Sequence, residues 1–325
     1  MPNLLLKVIG ALLIATAIVV PLSRAPDRDV QTLVARWAPP PSDFIDVKGQ
    51  IVHLRDEGPR DDPTPVVLIH GTGASLHTWE AWVTVLKARR RVITFDLPGF
   101  GLTGPFVGGE VGGENSRYTP GDYRGDTYAR FTLDLLDKLG IRRATLGGNS
   151  LGGEVAWRTA VMAPARVDKL ILVDAAGPDF KPESMPIGFV IARIPVFNRL
   201  LEHLLPRVIV AATVADVYGD PKKVTADLVD RYFELTLRTG NRRALVERMT
   251  QTVPGEDAQR ISSISQPTLI LWGGRDKLIP PSIGRKFKAQ IVVSQLVVFD
   301  DLGHVPQEED GARTVVPVQA FLGLK

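Results

Sequence analysis

Gly148-Asn149-Ser150-Leu151-Gly152 sets a serine between glycines, with a short apolar run, Thr145 to Gly148, before it and a helical pattern after it. A serine that turns a chain directly from strand to helix must hold a strained backbone. The strain pushes its hydroxyl out of the turn, and the flanking glycines let strand and helix pass close by. That is the placement a nucleophile needs. The context agrees: Tyr128, Phe131, Leu135, Leu136 and Leu139 repeat at helical spacing before the run, and Val155, Ala156, Thr159 and Ala160 share one helical face after it.

A hydroxyl is a poor nucleophile at neutral pH, so it needs a histidine to take its proton and a carboxylate to hold that histidine in the right tautomer. The chain has five histidines. His304 fits the base, because it follows a strand pattern and Gly303 near the carboxyl terminus. His70 belongs to a glycine-rich loop, His53 to an edge hairpin and His203 to a helical insertion, while His77 precedes Trp79. Asp276 is the expected acid, since it follows the strand pattern Thr268 to Trp272 and leads into the turn Lys277-Leu278-Ile279-Pro280. Asp174, at the end of the preceding strand pattern, is the alternative. Asp300 and Asp301 sit too near His304 on one strand end, and Asp96 reads as a structural turn residue.

Regular elements must carry these residues. Phe44 to Val47 and Ile51 to Leu54 alternate around Gly49 as an antiparallel edge hairpin. Val66 to Ile69 is apolar throughout, as in a strand covered on both faces, and ends in His70-Gly71-Thr72-Gly73. Val92 to Phe95 leads to Asp96 to Gly101, with a helix between containing Trp79, Trp82, Val85 and Leu86. Ala144 to Leu146, Lys169 to Val173, Thr268 to Trp272 and Leu296 to Phe299 lead in turn to Ser150, Asp174, Asp276 and His304. Strands alternating with helices predict a doubly wound, mostly parallel sheet, and the polar motifs all fall at the strand ends where such sheets bind ligands. Residues 178–262 interrupt the alternation with helical, proline-punctuated sequence, including Ile187 to Leu205 and Ala226 to Leu237, and read as a cap over the site.

With His70 to Gly73, Asp96 to Gly101, Gly148 to Gly152, Gly274-Arg275-Asp276 and Gly303-His304 in this order, the chain resembles the α/β-hydrolase superfamily over residues 44–325. The resemblance implies an eight-stranded sheet with an inserted helical cap and a serine, acid, histidine order that Ser150, Asp276 and His304 satisfy. It also implies an oxyanion hole made by the backbone N–H groups of Thr72 and Leu151, or of Gly73 if the loop is shifted, and no metal or organic cofactor. The expected reaction is hydrolysis of a carboxylic ester of a hydrophobic small molecule through an acyl-enzyme. Gly148 to Gly153 also resembles the elbow of the meta-cleavage-product hydrolases, which cut a carbon–carbon bond in a vinylogous diketone. Those enzymes usually carry tryptophan after the histidine, where this chain has Val305. Epoxide hydrolases and haloalkane dehalogenases use an aspartate at the elbow. A ligand-binding protein on a retained fold would have no chemical need for all three triad residues. Trp79, Trp157, Phe189, Phe197, Leu200 and Leu204 are candidates for an acyl pocket, each with core packing as the alternative.

The chain has 325 residues, 44% of them hydrophobic, and a net charge of +3, enough for a large core and too little charge for a nucleic-acid surface. Cysteine is absent, which excludes disulfides and thiolate chemistry. Leu4 to Leu22, apolar except for Lys7, has about the length that spans a bilayer core. Residues 1–25 are therefore expected to be a membrane anchor, leaving the catalytic domain extracytoplasmic. A signal segment is the alternative, but Pro26 follows the best cleavage site, Ser23-Arg24-Ala25. Residues 26–43, with Pro39-Pro40-Pro41, read as a linker, and residues 44–177 with 263–325 as the core domain. The expected partners are a small hydrophobic ester and a membrane, with no nucleic acid.

Overall fold

The computed structural model describes residues 23–108, 117–194 and 203–324, together with Lys7 and Gly10. Helix α1 (Val30–Trp37) precedes the hairpin of β1 (Ser42–Val47) and β2 (Gln50–Glu57). Lys48 and Gly49, both at positive φ (54° and 83°), close the hairpin in the two-residue turn that matches strand twist. β3 (Val66–Ile69), α2 (Glu80–Leu86), β4 (Val92–Phe95), α3 (Gly125–Lys138), β5 (Ala144–Asn149), α4 (Leu151–Met162) and β6 (Val167–Val173) then alternate. β7 (Thr268–Gly273), α9 (Pro281–Gln290), β8 (Ser294–Phe299), α10 (Pro306–Glu309) and α11 (Gly311–Phe321) complete the domain after an insertion.

The eight strands order as β1-β2-β4-β3-β5-β6-β7-β8. The first two pairings are antiparallel and the rest parallel, so β3 to β8 all run the same way. Burial on both faces explains the uniformly apolar central strands. Val67 and Ile69 point into one core with Phe131 and Leu135 of α3, Val155 of α4 and Phe287 of α9. Val66 and Leu68, one residue out of phase, point into the other with Trp82 and Leu86 of α2 and Val315 and Val318 of α11.

Between β6 and β7 the chain makes α5 (Ile187–Arg193), α6 (Arg207–Val217), α7 (Ala226–Thr236) and α8 (Asn241–Gln251). The sequence from Ile187 to Leu205 reads as helical and punctuated by proline. Its first helix, α5, ends at Arg193, where Ile194 turns to extended backbone (φ −85°, ψ 115°) ahead of Pro195, as the residue before a proline prefers. Residues 195–202, with Phe197 and Leu200, lie outside the described residues. So does Leu4 to Leu22, apart from Lys7 and Gly10. Among the described residues no helix is long and apolar enough to cross a membrane.

Segment 26–43 is docked on the protein and does not stand off as a spacer. Arg28 exchanges backbone bonds with Leu237 and Thr239 at the end of α7. Trp37 Nε1 donates to Glu234 Oε2 (2.7 Å), and Leu33 is buried against Leu102 and Leu235. Asp27 pairs with Arg242 of α8 at 2.6 Å. Ser23 O accepts from Leu205 N (3.0 Å), so the chain emerges from residue 22 at the cap.

Candidate active site

β5 ends at Asn149 and α4 begins at Leu151, so Ser150 alone makes the turn, at φ 54° and ψ −116°. A non-glycine residue holds such a conformation only where its surroundings enforce it. Here Ser150 N donates to Val173 O (3.0 Å), and Ser150 O accepts from Glu154 N and Ala176 N (3.1 Å each). The glycines are sterically required: a Cβ on Gly148 would stand 2.1 Å from Gly152 O, and one on Gly152 would stand 2.0 Å from Ile69 O.

Asp276 lies in the turn after β7. Its Oδ1 accepts from Leu278 N (2.8 Å) and Ile279 N (2.9 Å), and its Oδ2 accepts from His304 Nδ1 at 2.6 Å. That bond leaves Nε2 as the ring's proton acceptor. Nε2 has no partner among the described residues, and His304 lines the same cavity as Ser150. No hydrogen bond joins Ser150 to His304 Nε2 in the structure. The backbone of His304 is held from two sides. Its N–H donates to Val217 O at the end of α6 (2.8 Å), and its carbonyl accepts from Asn149 Nδ2 (2.9 Å), which also donates to Val173 O (3.2 Å). Asn149 reads in sequence only as the variable position of the elbow, so nothing in the motif announces this tie between elbow and histidine loop.

The glycine loop lies against Ser150, since a Cβ on Gly71 would stand 3.1 Å from Ser150 Cβ. His70 anchors it: Nδ1 donates to Gly71 O (2.8 Å) and Nε2 accepts from Leu97 N (2.9 Å). This pattern needs a neutral ring, and burial holds its pKa below the ordinary value although the Asp96 charge pulls the other way. Thr72, next along, lines the cavity on both sides of Ser150.

The two acids that compete in the sequence meet in space. Polar atoms of Asp174, Asp276 and His304 all lie within 4.8 Å of one another, with the ring nitrogen bonded to Asp276. Asp301 instead pairs with Arg313 (2.6 Å). Asp96 is fully buried and accepts from Leu76 N, Leu102 N and His53 Nδ1. His53 Nε2 in turn lies 3.0 Å from Ser42 Oγ, so a second serine–histidine–aspartate chain exists at the sheet edge. Its serine stands in a strand and not on a strand-to-helix turn. Ser42 sits within β1 and accepts from Arg55 Nε (3.1 Å), and His53 stacks on Phe44 at 5.1 Å. Its bonds are structural.

The cavity has two lobes that share Thr72, Ser150, Phe189 and Leu278. One continues past His304 and Val305 to Leu205, Ile209 and Val214 of the cap. The other continues past Leu151 and Trp157 to Phe180, Met185 and Met249. Its wall carries the Glu154–Arg248 pair (2.7 Å), and Glu154 also holds Arg158 (2.9 Å), a network with no motif to announce it. Of the pocket candidates, Trp157 and Phe189 line the cavity, whereas Trp79 packs on Trp82 (5.0 Å) in the core on the far face of the sheet. Leu204 makes a backbone bridge to Arg24, and its neighbour Leu205 faces the cavity.

A strand-ending elbow serine, a histidine–aspartate pair after the last two strands and a mostly parallel sheet with an inserted cap define a class. Residues 64–311 match the alpha/beta hydrolase fold family, and the chain belongs to it. It is 30% identical over 263 residues to the dihydrolipoyllysine-residue acetyltransferase component of the acetoin cleaving system of Pseudomonas putida, a match covering 80% of this chain but only 63% of that protein. It is 29% identical over 282 residues to a 2-hydroxy-6-oxononadienedioate/2-hydroxy-6-oxononatrienedioate hydrolase of a Pseudomonas species, covering 82% of this chain and 92% of the relative. A solved structure described as a membrane phospholipase A, a bacterial virulence factor, superposes with a TM-score of 0.67 at 26% identity, covering 99% of this chain and 98% of the other.

Proposed function

We propose that this hydrolase cleaves carboxylic esters of hydrophobic acids at a lipid surface, through an acyl-enzyme on Ser150. The observation that carries the reading is the two-lobed apolar cavity with Ser150 and Thr72 on its dividing line and His304 on one side only. His304 Nε2 takes the Ser150 hydroxyl proton as Oγ attacks the ester carbonyl. The Thr72 and Leu151 backbone N–H groups stabilise the oxyanion, worth about 2.7 to 4 kcal/mol for one donor in measured cases. The imidazolium, held by Asp276, then returns the proton to the departing alcohol oxygen. That oxygen must lie near Nε2, so the alcohol occupies the lobe containing His304 and Val305. The acyl chain occupies the lobe containing Leu151, Trp157 and Met249. Water activated by His304 releases the acid.

Support for a lipid surface comes from the amino terminus and the cap rim. The apolar stretch Leu4 to Leu22 ends one residue before Ser23, which is bonded to Leu205 of the cavity wall. Ile187, Ile194 and Val208 of the cap are exposed. The phospholipase likeness covers 99% of this chain and 98% of that protein. A second reading, carbon–carbon hydrolysis of a dienedioate, draws on the name and 82% coverage of the Pseudomonas hydrolase. The apolar lining of the lobe beside His304 favours esters over a dianion.

The test is a series of p-nitrophenyl esters from acetyl to dodecanoyl beside a ring-fission dienoate, with fluorophosphonate labelling of Ser150. The ester reading expects labelling and a kcat/KM that rises from acetyl to at least hexanoyl, each buried methylene contributing up to about 0.8 kcal/mol. Turnover of the dienoate alone moves the function to the second reading. A steady decline with acyl length removes the lipid substrate, and absence of both labelling and turnover leaves a binding protein.

A further inference from the structure

Asp174 belongs to neither the elbow nor the histidine–aspartate pair, yet its carboxyl group lies within 4.8 Å of polar atoms of both members of the pair. It follows β6 at positive φ (44°), a conformation an aspartate holds only under constraint, and its side chain is fully buried. Its backbone N–H donates to Leu271 O (3.0 Å), and Oδ1 accepts from Gly273 N (2.9 Å). These bonds aim Oδ2 at the β7 turn that carries Asp276. As a carboxylate oxygen, Oδ2 would have no donor among the described residues. Asp276 cannot supply one, because its two oxygens already accept three N–H groups. Polar atoms of the two buried carboxyl groups thus lie within 4.8 Å of each other, and a hydrogen bond between them needs a proton on one.

We propose that Asp174 is a neutral carboxylic acid that donates its Oδ2 proton to the Asp276 carboxylate, as a positioning residue for the acid that orients His304. This rests on Asp276 having that orienting role. The proton satisfies the orphaned oxygen and clamps Asp276 from the side opposite Leu278 N and Ile279 N, so the carboxylate cannot rotate away from His304 Nδ1. The surroundings keep the proton on Asp174. Burial comes first and the Asp276 charge second, and both push its pKa well above the ordinary carboxylate range. Glu309 adds a third carboxylate nearby, already occupied by the N–H groups of Gly219, Asp220 and Gly303. The cations of the Asp276 turn, Arg275 and Lys277, are exposed in the outer groove, with Arg275 Nη1 on Gly219 O. A metal ion bridging the three residues is disfavoured by the 2.6 Å bond, which uses Nδ1 as a donor.

The test compares full-length parental, Asp174→Asn and Asp174→Ala chains in detergent. Asparagine reproduces the neutral group, with its oxygen to Gly273 N and its amide N–H to Asp276. The expected results are a protonated-carboxyl infrared band at neutral pH that Asp174→Asn removes, a kcat within about twofold of parental and an unmoved acidic limb of the pH–rate profile. Asp174→Ala should lower kcat about tenfold or more with KM little changed, as when an interaction specific to the transition state is lost. The proposal is overturned if no band disappears, if the acidic limb of Asp174→Asn moves down by about one pH unit or more, as removal of a charge near His304 requires, or if Asp174→Ala keeps parental kcat. Activity lost to a chelator and restored by a divalent cation would also overturn it. Should Asp174→Ala fail to fold, the band and the limb decide. The band needs no turnover, so it reads the proton even if ester hydrolysis proves to be the wrong reaction.

Discussion

Replacing Asp276 by asparagine tests the orienting role with one atom. An amide can face His304 with either its oxygen or its nitrogen, and only the oxygen preserves the tautomer. The structure decides which. Oδ1 accepts two backbone N–H groups, Leu278 at 2.8 Å and Ile279 at 2.9 Å, in a site where Asp276 is 3% exposed. Turning the NH2 toward them would leave two buried donors unmatched, at about 1 to 3 kcal/mol each. The introduced amide therefore keeps its oxygen on those two donors and presents its NH2 to His304 Nδ1, which must become an acceptor, and the ring proton moves to Nε2. A protonated Nε2 cannot take the Ser150 hydroxyl proton. The expected loss is about four orders of magnitude in kcat, about 5.5 kcal/mol of barrier, as for the corresponding change in a measured serine–histidine–aspartate triad. Stopped-flow acylation with p-nitrophenyl butyrate measures it, beside fluorophosphonate labelling and a thermal melt to show that the fold persists. A folded Asp276→Asn chain within tenfold of the parental rate would refute the argument.

Ser150→Ala should abolish ester turnover and probe labelling together while leaving the melting curve nearly unchanged; turnover near the parental rate would remove Ser150 as nucleophile. Gly152→Ala puts a methyl 2.0 Å from Ile69 O and should destabilise the elbow by about 1 to 3 kcal/mol or more in urea unfolding, with loss of labelling. Leu33→Ala, in the docked amino-terminal helix, should cost about 2 to 5 kcal/mol, because the side chain is 1% exposed. A chain starting at Ser23 should melt like the full chain, whereas one starting at Asp43 should melt lower, having lost α1. Stability should fall as pH drops from about 6.5 toward 4. Burial of His77, chiefly, lowers its folded pKa to about 4 and buried His70 is lowered too, so in that window the unfolded chain binds more protons. Asp174 works in the opposite sense, since its raised folded value makes unfolding release a proton above the ordinary 3.8. Asp174→Asn should therefore gain stability relative to parental as pH rises, and a change in the other direction would contradict the sign.

The sheet was legible because its strands are apolar on both faces and end in glycine-rich turns, so that Val66 to Ile69 or Thr268 to Trp272 could belong to little else. Ser150, Asp276 and His304 were legible as strand-end residues for the same reason. The cap was legible as an insertion but not in detail. α6 carries apolar residues around its whole circumference and shows no stripe to mark it. The docking of segment 26–43 was hidden because its contacts are long-range, Asp27 with Arg242 and Trp37 with Glu234 among them, and have no local spacing. The meeting of Asp174 with Asp276 was hidden too, since the sequence presents them as rivals from different strands.

The bond from His304 N to the Val217 carbonyl makes the cap part of the mounting of His304. Gly219 and Gly303 pass so closely that a Cβ on Gly303 would stand 2.4 Å from Gly219 N, and Glu309 ties the Gly219 and Gly303 amides to a single carboxylate oxygen. The cap of this hydrolase is therefore not an interchangeable module. A chimera that grafts in a relative's cap retains a working histidine loop only if its junctions leave Val217 to Asp220 in place. Recombination that crosses this joint would deliver a new cap to a displaced His304 loop.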